Sequence, residues 1–378
     1  MKPTIHLALT DDWELRGDGS GDIERIQFAP MRELVSIYNR HGVRASFNAE
    51  LMQQLTFRKF QDEHRELRAH ADTWDEHVRE TYRAGHDVQL HIHPQWSGAR
   101  YENGRWRSDA DWSLLNYDEQ AAYQMIADGK EYLENLLRPL DASYRCVSFR
   151  AGAWCIAPSP HLLPTLVKLG IVFDMSIVGG LHYDTRRVQL DYRNCEETFL
   201  PFYPVMDDAR RVSDKREEIV CVPTFHFHAS RRHVFKHHLS AIRRKGRARV
   251  APSKAVAPVP EGYEQEWAQV GHQSPFTRLY EKGVRPYLKG KHLVSDIAQL
   301  NDELLCELLD AVRRRARATG LRELPVILTN HTKDVQDFSP IERFVAAASK
   351  ADDIEFVTLA QLADKLRRGE FAVRKNSA

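Results

Sequence analysis

The chain lacks any run of eighteen apolar residues, so nothing in it reads as a membrane-spanning helix. It also lacks an apolar leader. Met1-Lys2-Pro3-Thr4-Ile5 runs straight into a strand-like segment, without an h-region or a small-residue cleavage site, and the expected location is cytoplasmic. The five cysteines, Cys146, Cys155, Cys195, Cys221 and Cys306, include no Cys-x-x-Cys pair. Their odd number argues against a complete disulfide framework, and they read as reduced, mostly buried small residues. Net charge is equally scarce: +1 over 378 residues implies no nucleic-acid partner for the whole chain. The local exception is Arg231 to Lys254, with nine Lys or Arg and no acid. That segment reads as a solvated insertion, or as the place where an anionic partner or membrane surface would be met.

With 42% hydrophobic and 28% charged residues, the chain can bury a full core. Ile5 to Leu9 is a short apolar run ended by Asp11-Asp12, and Ala29 to His41 places Met31, Leu34, Val35 and Tyr38 on one helical face before Gly42. Strands are expected at Arg44 to Asn48, Asp87 to His91, Tyr144 to Phe149, Ile171 to Asp174, Val326 to Thr329 and Ile354 to Val357. Helices are expected at Trp74 to Ala84, at Asp118 to Leu137, from Ser159-Pro160 to Gly170, from a capping box at Ser339-Pro340-Ile341-Glu342, and before Gly369.

Such alternation predicts parallel βαβ units, in an open sheet or a barrel. Asp11-Asp12, His91, Arg150, Asp174 and His331 all fall at or just past strand carboxyl ends, where a barrel gathers its chemistry, so a distorted (β/α) barrel is favoured. Residues 1–378 are read as one domain. Within it, residues 180–295 lose the alternation, are rich in proline, and read as an irregular, partly basic insertion.

His91-Ile92-His93 ends a strand, and side chains two apart on a strand share a face, so both imidazoles can address one metal ion. Imidazole pairs suit Zn, Fe, Co or Ni, and Asp11 or Asp12 would complete the set with a carboxylate. The aspartate left free would serve as base toward water. His331 would protonate a leaving amine or alkoxide. A second pair, His226 and His228, reads as structural or substrate-side, or as further metal ligands.

These residues resemble the polysaccharide deacetylases of carbohydrate esterase family four. Ala8-Leu9-Thr10-Asp11-Asp12 resembles the family's first motif, which implies Asp11 as catalytic base and Asp12 as metal ligand. Gly85 to His91 resembles the run ending in the first metal histidine. Phe149 to Trp154 resembles the third motif, implying that Arg150 orients the catalytic Asp and that the amide after it helps hold the oxyanion. Asp191-Tyr192-Arg193 stands in for the fourth, whose acid tunes the final histidine, and Val326 to His331 resembles the fifth.

Two departures stand out. The family's His-x-x-x-His becomes His91-x-His93, with Gln95 in the expected slot. The Gly after the aspartate pair is Trp13, which would narrow the pocket and, with Trp154, face the substrate.

The resemblance implies a divalent-metal-dependent deacetylase, zinc foremost, acting on N- or O-acetyl groups of a sugar. A cytoplasmic location would favour a small, nucleotide- or lipid-linked sugar over a wall polymer, as in surface polysaccharide biosynthesis. The alternatives are a metal-dependent amidohydrolase of another class, and an inactive deacetylase-like protein that binds glycan or phosphate.

Overall fold

The computed structural model describes residues 2–108, 110–232 and 290–376. Most of the basic segment 231–254 lies outside the described residues. Among the described residues, eight parallel strands form the central sheet: β1 (Thr4–Trp13), β2 (Ser46–Glu50), β3 (Asp87–Ile92), β4 (Ser148–Ala151), β5 (Phe173–Asp174), β6 (Val220–Cys221), β7 (Glu323–His331) and β8 (Ile354–Phe356). Their order is β6-β5-β4-β3-β2-β1-β7. The long β1 pairs with β8 along Ile5 to Leu7 and with β2 along Thr10 to Trp13.

The two edges of this sheet meet. Thr224, three residues past β6, forms a parallel bridge with Ile327 of β7, and the Phe225 N–H donates to the Ile327 carbonyl at 2.9 Å. The sheet therefore curls into the expected distorted barrel, closed among the described residues by one bridge where a regular barrel has a full ladder.

Helices α1 (Ala29–Arg40), α2 (Leu51–Phe60), α3 (Arg65–Arg83), α4 (Glu119–Leu137), α5 (Leu162–Lys168), α6 (Asp302–Thr319), α7 (Ser339–Ala348) and α8 (Leu359–Arg367) complete the described architecture. Their ends follow local chemistry. Asp118 caps α4 by accepting from the Ala121 N–H at 2.7 Å. Asn301 caps α6 through the Leu304 N–H, and α6 stops at Gly320 with φ +71°. The capping box expected at Ser339 is absent: the N-cap residue is Phe338, Asp337 accepts from the Ser339 N–H at 2.9 Å, and Glu342 meets Arg40 of α1. A capping box does form at Thr358 and Gln361 of α8.

Helices α2 and α6 escape the periodicity reading, and α3 is caught only in part. In α2 the buried Gln53 and Gln54 interrupt the apolar stripe, because each serves an interior hydrogen bond: Gln53 to the Leu15 N–H, Gln54 to Asp75. The expected Trp74 to Ala84 helix is the second half of a longer α3. Within 180–295, the described residues hold β6 and short antiparallel pairs, among them His226–Ala229 with Lys291–Val294. All five cysteines are free, and no helix among the described residues is long and apolar enough to cross a membrane.

Trp13 belongs to the core and not to a pocket. It is fully buried, stacks on Trp74 of α3 at 5.0 Å between ring centroids, and donates its indole N–H to the Gln27 carbonyl at 2.9 Å. Trp13→Ala should lower stability by about 3–5 kcal/mol, the cost of truncating a buried aromatic. Urea unfolding followed by circular dichroism measures it, and a loss under about 1 kcal/mol would contradict this placement.

Candidate active site

The pleat of β1 decides which acids reach the cavity. Alternate side chains face opposite sides of a strand. Thr10, Asp12 and Glu14 point to the barrel interior and its mouth, while Asp11 and Trp13 point outward to the helices. Asp11 is buried against α1, where its carboxylate accepts from the Tyr38 hydroxyl at 3.0 Å and from the Asn330 side-chain amide. Burial pushes its pKa up to about 7, against the lowering effect of those two donors. The carboxylate that enters the cavity is that of Asp12, not Asp11.

Asp12 meets Arg150. The Arg150 Nη1 and the Asn48 Nδ2, the latter at 2.8 Å, donate to Asp12 Oδ1. Burial alone would raise the Asp12 pKa, but Arg150 together with His91 and His331 outweighs it and holds the carboxyl below its ordinary range. Arg150 also donates from Nη2 to the Thr10 hydroxyl at 2.9 Å. The amide after Arg150, expected to serve an oxyanion, is already committed: the Ala151 N–H donates to Ser176 Oγ at 2.8 Å.

His91 and His93 come together as strand alternation predicts, with their Nε2 atoms 3.0 Å apart. The third member of the set is Glu14, which the sequence reading missed. Its Oε2 lies 3.2 Å from His91 Nε2 and closer still to His93 Nε2, and its Oε1 is held by the Lys333 ammonium. Burial works against ionisation of Glu14, yet His93 and Lys333 bring its pKa well below the ordinary value. The signal for Glu14 was present in Asp12-Trp13-Glu14, since period-two spacing puts both acids on one face.

Each histidine is fixed from behind. His91 Nδ1 donates to the Arg150 carbonyl at 2.7 Å, leaving Nε2 toward Glu14. The His93 backbone N–H donates to Glu50 Oε1 at 2.8 Å, and the same carboxylate caps α2 through the Met52 and Gln53 N–H groups. Gln95 takes no place among the donors. Its Nε2 lies 3.2 Å from His93 Nδ1 and donates to the Gly17 carbonyl. Gly152 is obligatory at its position, because a Cβ there would lie 2.7 Å from the Ile92 carbonyl oxygen and 3.0 Å from the His93 ring.

His331 stands across the cavity from this trio. Its Nε2 is 3.5 Å from Asp12 Oδ2, and its Nδ1 donates to Asp296 Oδ2 at 2.9 Å. Burial lowers its pKa, but Asp296 and Asp12 overcome that and push it up to about 9. Asp191 plays no part here. It sits half-exposed on a hairpin, paired with Arg193, which holds it well below its ordinary pKa. The acid beside His331 is Asp296, brought there by a bridge to Thr329 that no local motif announces.

The cavity holding these groups measures about 520 Å³. Trp154 forms one wall, with the Arg150 guanidinium 4.9 Å from its ring. Ala153 and Trp154 both adopt left-handed backbone, at φ +51° and +66°, a strain of the kind that collects at functional sites. His226 and His228 stay outside the donor set: His226 pairs through Nδ1 with His292, which lines the cavity, and His228 is exposed. Asp174 is buried against Ser176, away from the cavity.

No family profile matches the chain, and no curated protein matches it in sequence. Solved structures do resemble it in fold. A Mycobacterium smegmatis protein assigned as a polysaccharide deacetylase is 16% identical, with TM-score 0.49 over 100% of this chain and 95% of its own. A Pseudomonas aeruginosa protein with the same assignment is 11% identical, with TM-score 0.47 over 96% and 91%. A 4-alpha-glucanotransferase from Thermococcus litoralis is 10% identical, with TM-score 0.47 over 97% of this chain and 41% of that one.

The pairing of His331 has a measurable consequence for stability. Because its folded pKa lies above the ordinary 6.5, the ionised ring stabilises the fold fully below about pH 6.5, and this contribution is lost as pH rises through about 9. Asp296→Asn removes the largest favourable partner. The melting temperature should therefore fall most below pH 6.5, and the gap to wild type should narrow toward pH 9 in the metal-free protein. A gap that widens with pH would contradict the pairing.

Proposed function

We propose that this protein is a metal-dependent hydrolase that removes an N- or O-linked acetyl group from a carbohydrate. The observation that carries the reading is the convergence of Glu14, His91, His93, Asp12 and His331 on one cavity. Two imidazole nitrogens and one carboxylate oxygen, all within 4.8 Å of one another, are a donor set suited to a divalent transition metal, zinc foremost. Such an ion, when bound, supplies Lewis acidity toward the acyl carbonyl and toward water.

The remaining roles follow from the side chains. Asp12, ionised by Arg150 and open to the cavity, takes the proton from the attacking water. His331 carries a proton on Nε2 and gives it to the departing nitrogen or oxygen as the acyl bond breaks, with Asp296 steadying the imidazolium at Nδ1. Trp154 offers an aromatic face to a sugar ring. The roles are thus moved along β1 relative to the resemblance: Asp12 is the base, Glu14 the ligand, and Asp11 joins the strand to α1. We propose an acetylated sugar, nucleotide- or lipid-linked, as the substrate class.

Three variants separate these roles. Glu14→Gln and His91→Ala should each weaken zinc binding by at least about 10-fold. Asp12→Asn should keep zinc while kcat falls by about 10²–10⁴-fold on an acetylated amino sugar. Zinc content by elemental analysis and turnover by acetate release are the measurements. Loss of zinc from Asp12→Asn, with zinc retained in Glu14→Gln, would return the ligand role to Asp12.

A further inference from the structure

A second cluster of donors lies on the wall of the same cavity. Asp296, His331 and Asp334 bring one ligand atom each to within 4.8 Å of the others. Two features distinguish it from an ordinary hydrogen-bonded acid pair. The Asp296 side chain is 10% exposed; its Oδ2 accepts twice, from His331 Nδ1 and from Gln299 Nε2, each at 2.9 Å. Its Oδ1 is buried and has no hydrogen-bond partner among the described residues. A buried carboxylate oxygen without a donor is costly, and such atoms in native proteins commonly face an ion or water.

The gap between the two carboxylates is spanned by a neutral group. Gln299 Nε2 touches Asp296 Oδ2 and reaches Asp334 Oδ2 at 3.4 Å, which is at the outer limit of a hydrogen bond. The neighbouring cation, Lys333, has its ammonium on Glu14 Oε1, and its charge also favours the ionised form of Asp334. Two carboxylates and an imidazole nitrogen match the donor chemistry of a divalent transition metal.

We propose that Asp296, His331 and Asp334 form a second site for a divalent transition metal, and that filling it inhibits the enzyme. Coordination at His331 Nδ1 displaces the proton that this nitrogen shares with Asp296 and releases it to solvent. The ring then keeps a single proton, on Nε2, and can no longer act as an imidazolium acid toward a leaving group. Inhibition rests on the reading of His331 as proton donor; the binding of a second ion does not.

Zinc stoichiometry of the full chain, by equilibrium dialysis and elemental analysis, tests the site without reference to turnover. Wild type should bind two equivalents. Asp334→Asn should bind one, His91→Ala should bind one, and Gln299→Glu, which adds a carboxylate to the cluster, should tighten the weaker equivalent by about 10-fold. Acetate release should peak at one equivalent of zinc in wild type and fall at two, whereas Asp334→Asn should stay active in excess zinc. A wild type that binds only one equivalent at about a 100-fold excess over that site's Kd would overturn the second site, as would two equivalents in Asp334→Asn. The Gln299→Glu result covers the case in which Asp334→Asn fails to fold, and an unchanged affinity there counts against the proposal. Two equivalents in wild type and one in Asp334→Asn, without turnover of any acetylated sugar, would uphold the site and reject the deacetylase reading.

Discussion

The Arg150 guanidinium, enclosed in the barrel, is the point on which fold and site both depend. It is 1% exposed, and it reaches Asp12 of β1, the hydroxyls of Thr10 and Thr329 on β1 and β7, and that of Thr224 beside the closing bridge. A buried charge of this kind is tolerated only when paired and hydrogen-bonded, and removing one partner strands the other. The same interaction therefore draws together the two sheet edges that close the barrel and keeps Asp12 ionised at its mouth. The carbonyl of Arg150 sets the His91 ring as well, so one residue governs the charge of the candidate base and the aim of a candidate ligand.

The pleat then divides the labour of β1. Interior positions, Thr10, Asp12 and Glu14, serve the site; the outward ones, Asp11 and Trp13, join the strand to the helix layer through Tyr38 and Trp74. A one-residue change of register would exchange the two sets. The parallel pairing of Asp12 with His331 and of Asp11 with Asn330 keeps the same division across β7, whose His331 faces the cavity while Asn330 turns back to Asp11.

Much of this was legible in the sequence, for physical reasons that also explain what was not. The alternation of strands and helices, the gathering of polar residues at strand ends, and the approach of His91 to His93 all follow from periodicity, which a single chain displays. Choosing between Asp11 and Asp12 needed the direction of the pleat, and adjacent acids do not carry it. Glu14 was overlooked because a tryptophan separates it from the aspartates, although that spacing is what places it beside Asp12. Asp296 could not be found from its neighbours. It reaches His331 through pairing between segments distant in the chain, and its own surroundings hold no motif. Helix α2 was hidden by Gln53 and Gln54, whose polarity is spent on interior hydrogen bonds.

The His91-x-His93 spacing is accommodated by how β3 ends. His93 keeps extended backbone at φ −108° and ψ 101°, so the alternation of the strand runs one residue past Ile92 before Pro94 turns the chain. A His-x-His pair on continuing strand points both rings one way, whereas a His-x-x-x-His pair needs an intervening turn to do so. That economy makes His93 depend on supports outside its strand. Its backbone is tied to Glu50 at the start of α2, its ring edge meets Gln95, and its other side is bounded by a glycine where no side chain fits. Gln95, in the slot where the resembling family keeps a histidine, thus holds the ring that stands two residues before it.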